Sequence, residues 1–332
     1  MSLGARVGAA ATAPLRALAA ALDPAMRGWQ RLAGRGGMIG LFLLPNLAIF
    51  TIFVLVPIGL NVAYSMTGGA QVFLADRPFV GGEQYARLLE CENHLRPRTC
   101  RDDTFWTAVW NTARFVVLQV GLMTGAALVT ALILNRSLPA KGFWRAVFFF
   151  PVLLSPVVVG LIWRWILQRQ GLANLVMVEG GLEPVNWLVD RFWAFAAAVG
   201  VSVWAHLGFY ALILLAGLQA IPKDLYEAAE MDGTRPWRVF RRITLPLLTP
   251  NLAVVVVLAL IRAVQIFDEA YVLTGGGPGT ATMFLTQYIY ETGFASPVRN
   301  PGLAAAASIL MAGVLVVLTL LRLSRQRRAA QR

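Results

Sequence analysis

The chain has 332 residues, 58% of them hydrophobic and only 14% charged, with a formal net charge of +12. A soluble domain of this length carries about a quarter charged residues, so the deficit points to lipid as the solvent for much of the chain. Its basic residues stand in clusters between apolar runs, which argues against nucleic acid as a partner, and no Gly-x-x-x-x-Gly-Lys-Ser/Thr phosphate loop occurs.

Residues 1–37 are rich in Ala and carry Arg6, Arg16, Arg27, Arg31 and Arg35. Pro14, Arg16, Asp23 and Pro24 interrupt the compact apolar core that a cleaved signal peptide needs, so this stretch is expected to be a cytoplasmic tail. Six apolar stretches follow, each reaching the roughly 20 residues that cross a bilayer core of about 30 Å. They run from about Met38 to Met66, Trp106 to Leu134, Phe143 to Leu167, Trp193 to Ile221, Leu247 to Leu273 and Leu303 to Leu323. The expected fold is all-α, an integral membrane domain of six helices over 38–323 followed by a basic tail, 324–332. Pro45, Pro57, Pro151 and Pro156 fit within spans, because neighbouring helices can satisfy the freed backbone groups.

Lys and Arg concentrate on the cytoplasmic side of membrane proteins. Segments 1–37, 135–146, 222–246 and 322–332 hold five, three, five and five basic residues, eighteen in all. The alternate segments 67–105, 168–192 and 274–302 hold five, two and one, eight in all, and six acids offset the first of them. Both termini are therefore expected in the cytoplasm, which places Cys91 and Cys100 together in an outer loop. Two cysteines so close in an oxidising compartment suggest a disulfide contributing about 2–3 kcal/mol, with free thiols as the alternative. The role is structural in either case. His94 falls in that loop and His206 in a span, so no metal site and no cofactor is expected.

Segment 222–246 is the most informative. Pro222 ends the fourth span, Asp224 can cap a short helix, and Gly233 offers a left-handed terminator. Leu225, Ala228 and Ala229 fall on one face of that helix, with Tyr226, Glu227 and Glu230 to its sides. A second short helix is expected to end before Pro246. Such a charged helix–turn–helix at the membrane surface suits a groove on another protein.

The spacing Glu227-Ala228-Ala229, Gly233, Ile243, Leu245-Pro246 resembles the EAA loop of ABC importer permeases. In that family the loop is the coupling helix that docks on a cytoplasmic ATPase subunit. The resemblance implies that role for Tyr226, Glu227, Ala228, Ala229, Asp232, Gly233, Ile243, Leu245 and Pro246. It extends over nearly the whole chain beyond the N-terminal tail. Phe79-Val80-Gly81 with Tyr85, Phe105-Trp106 with Asn111-Thr112, and Ser155-Pro156 with Trp163-Arg164-Trp165 are similar to the sugar-permease branch. Phe267-Asp268-Glu269-Ala270-Tyr271-Val272-Leu273-Thr274-Gly-Gly-Gly-Pro278, continued by Tyr288-Ile289-Tyr290 and Phe294, resembles the maltose and glycerol-phosphate type permeases. One departure is Glu83-Gln84, where an Asn is common. The resemblance implies a bacterial inner-membrane subunit without catalytic residues of its own. Its implied partners are a second related permease, an ATPase dimer, a periplasmic or lipid-anchored solute-binding protein, membrane lipid and a carbohydrate substrate.

A solute pathway needs polar and aromatic groups facing a cavity, since polar groups facing hydrocarbon are costly. The fifth span offers Gln265, Phe267, Asp268 and Tyr271, with Gln265 and Asp268 three apart on one helical face. The fourth offers Ser202, Trp204, His206, Phe209 and Tyr210. Trp204 can instead pack between helices, His206 can donate to a carbonyl, and the acids can pair with Arg262 or Arg114. The Gly275-Gly276-Gly277-Pro278 run reads as a flexible outer turn, or else as a contact for the binding protein. Arg114, Arg164 and Arg262 keep glycerol 3-phosphate open as an alternative solute. A stand-alone secondary transporter would need intramembrane acid or His relays or inverted repeats, and only Asp268 and Glu269 lie near a span core. No paired carboxylates or Ser/Lys constellation supports an enzyme.

Overall fold

The computed structural model describes residues 24, 34, 37, 39–136 and 139–330, with side chains assigned except at 322, 323 and 325–330. Most of the expected tail 1–37, with its five arginines, lies outside the described residues. So do 331 and 332. The chain divides into units 1–63 and 64–332. The first unit is built on helix α1 (Ile39–Ser65), 27 mostly apolar residues that reach two positions into the second unit. At about 1.5 Å per residue it spans some 40 Å, enough to cross a bilayer with tilt.

The second unit contains α2 (Glu83–Leu89), α3 (Asp103–Asn135), α4 (Lys141–Phe149), α5 (Pro156–Leu167), α6 (Leu172–Glu179) and α7 (Arg191–Gln219). It continues with α8 (Lys223–Met231), α9 (Pro236–Val264), α10 (Asp268–Thr274), α11 (Leu285–Tyr290) and α12 (Pro301–Ala330). Among the described residues five helices are long and apolar enough to cross a membrane, six if the bent α4–α6 pair counts as one span. Helix α12 runs through the expected boundary at 324 without a break.

The core is the packing of α3 on α7, with α9 against both. Ala108, Phe115, Gln119, Met123, Ala127, Ala131 and Leu134 form the buried stripe of α3 at helical spacing. Helix α7 buries many small residues against its several neighbours, Ala194, Ala198, Ser202, Ala205, Gly208 and Ala211 among them, and Gly208 lies against α4. Lipid supplies no hydrophobic drive between helices, so close backbone approach is what holds them. Gly208 shows the demand plainly: a Cβ there would stand 2.2 Å from the Phe148 carbonyl oxygen.

Proline removes the N–H that would bond four residues back, and its ring crowds that carbonyl. The chain accommodates this in one way at three places. Val56, Leu245 and Ser296 each precede a proline, and each donates five residues back, to Thr51, Phe240 and Glu291, closing a π turn. The expected second short helix of segment 222–246 therefore does not end before Pro246. The wide turn Phe240–Thr244 absorbs that proline, and one helix runs from Pro236 to Val264.

Two expected spans are broken. The third, Phe143–Leu167, is two arms, Lys141–Leu153 and Pro156–Glu179, bent by 101°. Leu154 and Ser155 are extended, as the residue ahead of Pro156 must be. The fifth starts at Pro236, well before Leu247, and stops at Val264. Residues 265–267 are non-helical, and α10 restarts at Asp268. The Ile266 carbonyl, exposed by that break, accepts from the Thr286 hydroxyl.

Candidate functional site

At one end of the second unit, α8 lies across the roots of α3 and α9. Pro222 takes the N-cap position and Asp224 sits in the first turn, favourable to the helix dipole but not the cap that was expected. Only Ala229 is buried and Tyr226 half-buried, whereas Leu225 and Ala228 are exposed. The inward face is thus Tyr226 and Ala229, not Leu225, Ala228 and Ala229. Glu227, Ala228, Met231, Asp232 and Gly233 form the outward face. Gly233 adopts φ +60°, its N–H donates to the Glu230 carbonyl, and the Thr234 N–H donates to that of Ala229. These bonds satisfy carbonyls that the helix end would otherwise leave open. Ile243 and Leu245 are half-buried at the root of α9 and Pro246 is exposed. Between them Thr244, which sequence reasoning passed over, is 5% exposed and lies 3.1 Å from the Tyr226 hydroxyl. A hydroxyl set between Ile243 and the apolar run Leu245-Pro246-Leu247-Leu248 was the available signal.

The expected pathway residues separate into two groups. His206, Phe209 and Tyr210 of α7 line a cavity of about 340 Å³ with Pro156, Val159, Arg262 and Glu269. His206 Nδ1 donates to the Ser202 carbonyl oxygen at 2.9 Å, and the Ser202 side chain is buried. Arg262 approaches Glu269 to 3.8 Å across the break in the fifth span. The second Glu269 oxygen is buried without a hydrogen-bond partner among the described residues. Trp204 turns away and packs edge-on to Trp163 at 5.4 Å.

Phe267 and Tyr271 form the second group, stacked at 5.3 Å and joined by Tyr290 and Phe294. Gln265 and Asp268 are exposed beside it. They do not share a helical face, because the chain between them is not helical. Arg262, Glu269, Tyr290 and Phe294 were not among the expected pathway residues, although pairing of the acids with Arg262 was one of the expected alternatives and Glu269 takes it.

At the opposite end, the glycine-rich run is tied down and not a free turn. Asn111 Nδ2 donates to the Thr280 carbonyl at 2.7 Å, and Thr282 Oγ1 donates to that of Gly277 at 2.8 Å. The Tyr288 hydroxyl donates to Asp102, which also caps α3 through the Phe105 N–H. Burial and the Asp102 carboxylate push the Tyr288 hydroxyl well above its ordinary pKa, so it remains a donor. Gln84 donates to the Thr67 carbonyl at 3.1 Å, and Cys91 is joined to Cys100.

The family described as binding-protein-dependent transport system inner membrane component matches residues 121–330. The chain belongs to that family. The match starts midway along α3 and takes in both the α8 corner and the 340 Å³ cavity, whereas Gln84, the Cys91–Cys100 pair, Asp102 and Asn111 precede it. The permease is 36% identical over 283 residues to the trehalose/maltose transport system permease protein of Thermococcus litoralis, covering 85% of this chain and 91% of that one. It is 32% identical over 285 residues to the lactose transport system permease protein of Rhizobium radiobacter, covering 84% and 90%. It also resembles a chain of a bacterial ABC transporter involved in import of the acidic polysaccharide alginate. That likeness has a TM-score of 0.74 and 26% identity, over 91% of this chain and 99% of that one.

Proposed function

We propose that the permease carries an uncharged di- or oligosaccharide into the cell as half of a translocation pathway. A second related permease supplies the other half, a solute-binding protein delivers the sugar outside, and a separate pair of ATPase subunits docks on segment 222–246. The excess of basic residues on the segments that include 222–246 supports cytoplasmic termini. The disulfide-bearing loop then faces the oxidising side.

The observation that carries the coupling role is the unbroken helix Pro236–Val264, which begins three residues after Gly233. Closure of the ATPases presses on the outward face at Glu227, Ala228, Asp232 and Gly233. Ala229 and the Tyr226–Thr244 contact pass that displacement to the root of α9. Because the helix has no break until Val264, its far end moves with its root. The non-helical 265–267 then lets α10, which carries Glu269, change its angle against α7 and open the cavity to alternate sides.

The sugar assignment rests on the relatives named for trehalose/maltose, lactose and arabinooligosaccharides. Charge in the cavity supports a neutral solute over glycerol 3-phosphate. Arg262 faces Glu269, and Arg164 donates to the Val272 carbonyl at 3.4 Å, which leaves no spare cation at that cavity.

The test is ATP hydrolysis by the purified complex in nanodiscs, with and without a sugar-loaded binding protein, for wild type and Gly233→Asp. Stimulation that disappears in the variant is expected. Uptake by this chain alone, indifferent to ATPase and to Gly233→Asp, would overturn the reading in favour of a secondary transporter.

A further inference from the structure

In α3 the only charged residues after Asp103 are Arg114 and, just past its end, Arg136. Between them lie twenty-one uncharged residues, 115–135, about 32 Å of helix and so close to the thickness of a bilayer core. That length places Arg114 at headgroup level at the Asp103 end of the bundle, so the part of α3 within the bilayer core starts at Phe115 and not at Trp106. Helix α7 begins at the same level, since its first residue, Arg191, lines the same hollow as Arg114.

That hollow, about 570 Å³, lies between α3 and α7 and its lining contains no acidic residue. Among the described residues neither guanidinium has an ion pair or a hydrogen bond. The nearby Asp190 caps α7, its Oδ1 accepting from the Phe192 and Trp193 N–H groups, and among the described residues it makes no ion pair with either arginine. Below each cation runs an apolar stripe, one and two turns deeper. Leu118 and Leu122 follow Arg114 at intervals of four, and Phe195 and Val199 follow Arg191 in the same way. Two unpaired cations at headgroup level above an apolar groove match an anionic amphiphile, with charge above and chain below.

We propose that this hollow is a binding site for an anionic phospholipid. Its phosphate sits between Arg114 and Arg191, and the first part of an acyl chain runs along Leu118, Leu122, Phe195 and Val199. Arginine's fork of donors suits a phosphate held from two sides. The site goes beyond the transport reading and depends on neither the solute nor the direction of coupling.

The test uses the full chain purified with whatever subunits accompany it, in nanodiscs of phosphatidylglycerol or phosphatidylcholine, with retained lipid read by native mass spectrometry. Phosphatidylglycerol is expected to be retained over phosphatidylcholine. Retention should fall about tenfold in Arg114→Gln with Arg191→Gln, and largely survive in Arg114→Lys with Arg191→Lys. A photo-cross-linker at Leu122 in otherwise unaltered protein gives an independent measurement, should the Gln pair not fold, and is expected to label the lipid. Equal retention of both lipids, retention unchanged in the Gln pair, or a cross-link to a neighbouring polypeptide would each overturn the proposal. Displacement of phosphatidylglycerol by a soluble oligouronate would also overturn it, by marking the hollow as a solute site. None of these readouts involves transport or ATP hydrolysis, so failure here is distinct from failure of the proposed function.

Discussion

The Tyr226 hydroxyl meets Thr244 Oγ1 at 3.1 Å, joining the inward face of α8 to the root of α9 across the corner made by Gly233. Thr244 lies in the π turn ahead of Pro246, where the helix is locally widened and its hydroxyl is buried. Tyr226 also packs against the apolar cluster that includes Leu134, Leu218 and Leu248. One side chain thus ties the surface helix to three of the long helices.

Tyr226→Phe keeps the ring and removes the hydroxyl, so it isolates that tie. A net hydrogen bond contributes about 1 kcal/mol, and stimulated ATP hydrolysis is expected to drop roughly two- to tenfold while the complex remains assembled. Thr244→Val should give a similar loss, and the double variant should be little worse than either single one. Additive losses in the ATPase assay would mean that the two hydroxyls act separately.

Gly233 tests backbone against side chain. A Cβ there would meet nothing within 4 Å, so any cost in the free chain comes from φ +60° alone. Gly233→Ala is expected to cost about 1 kcal/mol, and Gly233→Asn less, because Asn enters the left-handed region more readily. Stimulated ATPase activity should rank wild type, Asn, Ala and then Val. If Asn is as damaging as Val, the constraint is space on a docked partner and not the conformation of the corner.

Gly208 is the opposite case. Its Cβ would stand 2.2 Å from a backbone oxygen of the broken third span, and that atom cannot yield as a side chain can. Gly208→Ala is expected to destabilise by about 1–3 kcal/mol through overpacking. Gly121→Ala in α3, with nothing within 4 Å, should be neutral or slightly stabilising. Thermal unfolding of the two variants in one detergent checks the contrast, and equal melting points would show that α4 and α7 do not pack this closely.

The spans were legible because lipid imposes one rule, about twenty apolar residues per crossing, and α3, α7 and α12 obey it in single helices. The corner at Gly233 was legible because only glycine is comfortable there. The breaks were not. Whether a helix stops at Val264 depends on what can satisfy the freed Ile266 carbonyl, and the answer, Thr286, comes from another element. Pro246 misled for a related reason. A proline ends a helix only if the chain cannot widen ahead of it, and here Phe240–Thr244 does widen. The same break removed Gln265 and Asp268 from a shared face and put Glu269 opposite Arg262.

That ion pair is asymmetric. The Glu269 side chain is 4% exposed and that of Arg262 is 39% exposed. Removing the arginine strands a charge that has almost no access to water, whereas removing the glutamate leaves a cation that can reach the open cavity. Arg262→Ala is therefore expected to destabilise by about 1–3 kcal/mol, below the full cost of breaking a buried pair because the contact is long and Arg262 is over a third exposed. Glu269→Ala should cost clearly less, discounted because its partner is over a third exposed. The double variant should fall well short of the sum, since it strands no charge. Thermal unfolding of the three variants, alongside sugar-stimulated ATPase activity, measures both sides of the pair. If Glu269→Ala proves the more damaging, Glu269 must be held by a group other than Arg262. The orphaned second oxygen of Glu269, buried beside the cavity, is where that group would bind.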